Sequence, residues 1–141
     1  MLDEIAAAAD ELAVALAALG EAYEALDEDA ADAMEQAVFR PVQAALGAIK
    51  RTHAEFAQRY SLPERRFAPA GPGSHTADPR VYVERALQAS EDAEQRLAEL
   101  QDSMRPVEVG DPQLRAGLSE ARTLLADVPA RGARLLRGVG R

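Results

Sequence analysis

The 141-residue chain contains no cysteine. Disulfides, thiolate metal sites and cysteine nucleophiles are therefore excluded. Asparagine is also absent, which removes every N-glycosylation acceptor. Lysine occurs once, at Lys50, and the other fifteen basic residues are arginine. Aromatic residues make up only 4%, and Val and Ile together are outnumbered by Leu, so strand-forming residues are sparse. The first 39 residues hold eleven carboxylates and not one basic residue. Nothing near the N-terminus looks like a leader or a membrane span. Met1-Leu2-Asp3-Glu4 lacks a basic n-region, and the uncharged stretch Leu12–Gly20 is too short to cross a bilayer. These absences lead us to expect a cytoplasmic protein.

What the chain does hold is alanine, leucine, glutamate and arginine, all strong helix formers. The Arg-for-Lys and Ala-rich usage suggests a G+C-rich bacterial genome. Net charge is -8, which disfavours a general nucleic-acid binder. Apolar residues recur in steps of 3 and 4. The first run is Leu2, Ile5, Ala9, Leu12, Leu16, Leu19, Tyr23 and Leu26; the second is Phe39, Val42, Leu46, Ile49, His53, Phe56 and Tyr60. A third follows Asp78-Pro79 through Val83, Ala86, Ser90, Ala93, Leu97, Leu100 and Met104. A fourth follows Asp111-Pro112 through Leu114, Leu118, Ala121, Leu125 and Val128, and is expected to stop at Pro129. Asp before Pro is the favoured N-cap and N1 order. Asp27-Glu28-Asp29 offers a turn between the first two helices, and Pro41 predicts a kink near residues 37–41.

Narrow seams of this kind predict an all-α fold, an antiparallel four-helix bundle with up-down-up-down order favoured. Gly20, Gly47 and Gly117 are expected to permit close helix approach. The Pro/Gly-rich segment Ser61–Asp78 is a long loop between helices 2 and 3, and is long enough to run the full length of a bundle. The bundle is assigned to residues 1–129 and a basic C-terminal tail to 130–141. On a helix, Arg131, Arg134, Arg137 and Arg141 fall on one side of that tail, and Leu135, Leu136 and Val139 on the other. Because Gly132, Gly138 and Gly140 raise the entropy cost of ordering it, the tail is expected to be mobile, with docking onto the acidic first helix as the alternative.

Motifs for chemistry are scarce. No Glu-x-x-His pair exists for a di-metal bundle, since Lys50 and Pro72 stand three residues before His53 and His75. An EF-hand beginning at Asp27 fails, with Asp32 and Val38 at its sixth and twelfth positions. No P-loop is present, and Gly117-Leu118-Ser119-Glu120-Ala121 lacks the second glycine of a nucleophile elbow. His53 on the second seam is the single candidate core polar site, as a base tuned by burial or as a structural imidazole. His75, beside Ser74 in the loop, reads as loop polarity. No cofactor and no metal are expected. The sequence thus favours a non-enzymatic interaction or scaffold protein that forms a homodimer and has a protein partner. Two alternatives stand beside it: an anionic-surface or membrane adaptor working through the Arg-rich tail, and a small-molecule binder or enzyme around His53.

Overall fold

The structure, a computed structural model, describes residues 1–139. It is 79% helix, with no strand among the described residues. The first helix, α1, covers Leu2–Ala25. Asp27 caps α2 (Glu28–Met34), its side chain accepting a 2.8 Å bond from the Ala30 amide. The helix then passes through a π-turn, Glu35–Phe39, into α3 (Arg40–Arg59). The expected kink thus takes the form of a widened turn. Pro41 has no N–H to offer and its ring crowds the carbonyl four residues back. The turn relieves this, and the Arg40 amide bonds to the Glu35 carbonyl five residues away.

Asp78 and Asp111 cap α4 (Pro79–Asp102) and α6 (Pro112–Leu125), each followed by proline in the first turn. Between them lies a short α5 (Arg105–Val109), bracketed by left-handed residues Met104 (φ 66) and Gly110 (φ 72). Met104 belongs to the expected third seam, but its backbone has already left the helix and its side chain is exposed.

Relative helix direction follows from the cross-links. Arg105 reaches Glu4 at 2.6 Å and Arg96 reaches Glu11 at 3.4 Å, so α4 runs antiparallel to α1. Glu35 and Phe39 face Gly20 and Glu24, while Leu46 and Lys50 face Ala13 and Leu16, so α3 is antiparallel to α1 as well. Arg59 meets Asp111 and Arg51 meets Glu120, which makes α6 antiparallel to α3. Every lateral neighbour is therefore antiparallel, but α3 and α4 are parallel to each other. The expected up-down-up-down order is not what forms; the order is up-down-down-up. The segment Ser61–Asp78 is the crossover. At about 1.5 Å per residue the 24-residue α4 is roughly 36 Å long, a distance that about eleven extended residues can cover. Arg65 pins the crossover to Asp10 at 2.7 Å, and Thr76 ties its end to the Tyr82 hydroxyl at 3.1 Å.

The core is wider than the a/d seams suggest. On α1, Ala6, Ala8, Ala15, Ala18 and Ala22 are buried beside Ile5, Leu12 and Leu19. Alanine is small enough for neighbouring helices to close over both flanks of the seam. Of the three glycines expected at close contacts, only Gly117 makes one, against Thr52 of α3. Gly20 has nothing near the position of a Cβ, and at Gly47 only the flexible Arg51 side chain comes within reach.

The C-terminal segment departs most from expectation. Pro129 does not end a helix; it lies in the first turn of α7 (Val128–Gly138). A mobile tail over 130–141 is therefore not what the described residues form, nor does α7 dock on α1. It packs on α4 and on the π-turn. Gly132 makes this approach possible, because a side chain there would run into Leu87. Leu87 is half-buried and its δ-methyls can rotate away. Gly132→Ala is therefore expected to cost under about 1 kcal/mol, once the helix propensity gained by losing glycine is included. A melting curve against wild type checks this.

Candidate functional site

Position 53 on α3 is where the second seam meets the crossover. The His53 side chain is buried, and Phe67 of the crossover stands edge-on to it, with ring centroids 5.5 Å apart and planes at 84°. The Arg65 guanidinium and the Lys50 ammonium lie over the same phenyl ring, at 5.6 and 5.7 Å from its centroid. Burial pushes the imidazole below its ordinary value of 6.5. Arg65 adds to this and Asp3 opposes it. His53 makes no hydrogen bond with a described residue, so it has no relay partner. The adjoining groove is lined by Leu16, Leu46, Lys50, Phe67 and residues 68–70 rather than by the imidazole. The arrangement suits a packed, neutral ring under an aromatic cap.

That neutrality has a measurable consequence. An unfolded histidine takes up its proton near 6.5, whereas the folded one resists to lower pH. Acidification from about pH 7 to 5 therefore favours the unfolded state, which binds the extra proton. His53→Leu is expected to flatten the fall in melting temperature across this window. An identical pH slope in wild type and variant would contradict burial of this imidazole as the cause.

The arginine side of the C-terminal segment lies on α7. Arg134 and Arg137 are exposed, and Arg131 reaches Asp127 of its own first turn at 3.9 Å. Leu135 and Leu136 pack against the core. Arg80 donates a 2.6 Å bond to the Leu136 carbonyl, so α4 caps the last turn of α7. Arg141 falls outside the described residues.

Two features were not visible as sites in the sequence. At one end of the molecule, Tyr60, Leu62, Met104, Val107 and Val109 are all between 41% and 51% exposed. At the same end the Arg59–Asp111 pair joins the end of α3 to the start of α6. At the other end, α1 and the π-turn flank a half-open cavity of about 260 Å³ lined by Gly20, Tyr23, Glu24, Glu35 and Phe39. Tyr23 and Tyr60 fall on the heptad seams, yet both are exposed: Tyr23 stands in the last turn of α1, and Tyr60 is the residue that follows α3.

Among the described residues, no group of three or more His, Asp or Glu side chains is placed to hold a metal ion. No described helix is long and apolar enough to cross a membrane. No protein-family model, curated protein or solved structure matches this chain.

Proposed function

We propose that the chain is an antiparallel four-helix bundle acting as a non-enzymatic interaction or scaffold protein, and that it pairs with a second copy of itself through the end carrying α5. The observation that carries this reading is the cluster of Tyr60, Leu62, Met104, Val107 and Val109 at that end. Single exposed apolar residues are ordinary, but five large ones on the segments that meet at one end of the bundle mark that end as the candidate contact. A two-fold contact would cover the same patch on both copies. The small-molecule reading around His53 is less favoured, because the imidazole is capped by Phe67 and lacks a hydrogen-bonding partner. A membrane role for α7 is less favoured as well, since Leu135 and Leu136 pack on the core and the exposed residues of α7 are proline, alanine, glycine and arginine.

Light scattering at high micromolar concentration tests the proposal. The expected result is a dimer for wild type and a monomer for the Val107→Asp/Val109→Asp double variant, with unchanged helical content. Both side chains are exposed, so the substitutions leave the core intact. A monomeric wild type at that concentration would overturn self-association.

A further inference from the structure

We infer that the cavity between the end of α1 and the π-turn receives an arginine side chain from a basic segment of a separate protein partner. Its space of about 260 Å³, open to solvent on one side, is enough to take a single long side chain. The lining is chemically specific. Tyr23 and Phe39 supply two aromatic rings, and Glu24 and Glu35 supply two carboxylates. A planar guanidinium stacks on aromatic faces and bridges to carboxylates through its fork of N–H donors, whereas an ammonium does neither as well.

The two carboxylates are free for such a guest. Three other acids of α1 already have arginine partners: Glu4 has Arg105, Asp10 has Arg65 and Glu11 has Arg96. Among the described residues no base lies within ion-pair distance of Glu24 or Glu35. Arg40, one turn away, donates to Gln36 instead, at 3.3 Å. Glu35 is half-buried, so its charge sits partly out of water without a counter-ion. Exposed Glu21, Glu28, Asp29 and Asp32, on the end of α1 and on α2, add to the negative charge of this part of the chain, which would draw in a basic segment. The π-turn helps to make the space: the widened turn carries both Glu35 and Phe39 of the lining. Gly20 leaves the α1 side open, since nothing lies within 4 Å of where its Cβ would stand.

The test is a titration of the ¹⁵N-labelled protein with blocked hexa-arginine and hexalysine peptides, followed by amide chemical shifts. Hexa-arginine is expected to bind several-fold more tightly, with shifts centred on residues 20–24 and 35–39. Tyr23→Ala and Glu35→Gln should each weaken it by about fivefold or more. Gly20→Leu should block the cavity while leaving the melt unchanged or raised, because the position is exposed and leucine is the better helix former. Asp92→Asn, in the acidic cleft between α1 and α4, should have no comparable effect. Equal binding of the two peptides, with no response to Gly20→Leu or Glu35→Gln, would reduce the site to diffuse charge and overturn the inference. A wild-type dimer that falls to a monomer on Gly20→Leu, read by light scattering, would mean that a second copy already fills the cavity, and would overturn assignment to a separate partner.

Discussion

Gly117→Ala is expected to lower stability by about 2–3 kcal/mol, seen as a fall in melting temperature on the order of 10 °C. A Cβ at this position would overlap the Thr52 hydroxyl outright and stand 2.9 Å from both Thr52 Cβ and Cγ2. None of these atoms can give way cheaply. Thr52 is β-branched and buried, and its hydroxyl donates a 2.7 Å bond to the Ala48 carbonyl. The roughly 1 kcal/mol gained from replacing a helical glycine is therefore outweighed by the forced separation of α3 and α6. Thr52→Gly removes every atom in conflict. In the double variant Gly117→Ala/Thr52→Gly the two losses should fall short of their sum by at least about 1 kcal/mol. Strict additivity would show that the contact is not the cause.

Removing the carboxylate of Asp111 should cost even more. It is 4% exposed, accepts from Arg59 Nε and Nη2 at 2.9 Å each, and accepts from the Leu114 amide at 3.0 Å. One group thus caps α6 and ties it to the end of α3. Burial alone would raise its pKa. The Leu114 amide, Arg59 and the Tyr60 hydroxyl outweigh that and hold it below the ordinary 3.8. Asp111→Ala loses the cap and leaves Arg59 unpaired, for a loss of about 2–4 kcal/mol. Asp111→Asn retains a capping oxygen and should lose less. Because the folded pKa is depressed, the ion pair's contribution is complete above the unfolded value and disappears as pH falls through the folded one. The destabilisation caused by Asp111→Asn should therefore shrink below about pH 4. Denaturant midpoints measured at pH 7 and near pH 3 give the comparison.

The helices themselves were legible in the residues. Step patterns of 3 and 4 locate the buried faces of α1, α3, α4 and α6, and the Asp-Pro pairs locate two of their starts. Direction was not legible, because a hydrophobic period carries no sign and Ser61–Asp78 is long enough for either a return or a crossover. The C-terminal segment misled for a definite reason. Gly132 reads as an entropic cost in isolation, but its missing side chain is what lets α7 reach Leu87 of α4. The step pattern puts His53 on the apolar face of α3, where its side chain is buried, while its Phe67 cap depends on a loop whose path no period encodes. The arginine cavity was hidden because Tyr23 and Phe39 occupy seam positions and read as core. At the end of α1 and on the widened turn before Pro41, Tyr23 is exposed and Phe39 only half-buried.

The crossover also changes what the covalent chain is for. Each consecutive helix pair, α1 with α3 and α4 with α6, forms a hairpin, yet α1 packs most extensively on α4, and α3 on α6. Most of the core is therefore built between the two halves of the sequence rather than within either. Cleavage at exposed Arg66 would leave a two-chain complex that keeps these interfaces and loses only the tether. The strap's contribution is then an effective concentration, of millimolar order for a flexible link of this kind. The same arithmetic makes two copies interchangeable partners: a strap that opens in both can close with the hairpins exchanged.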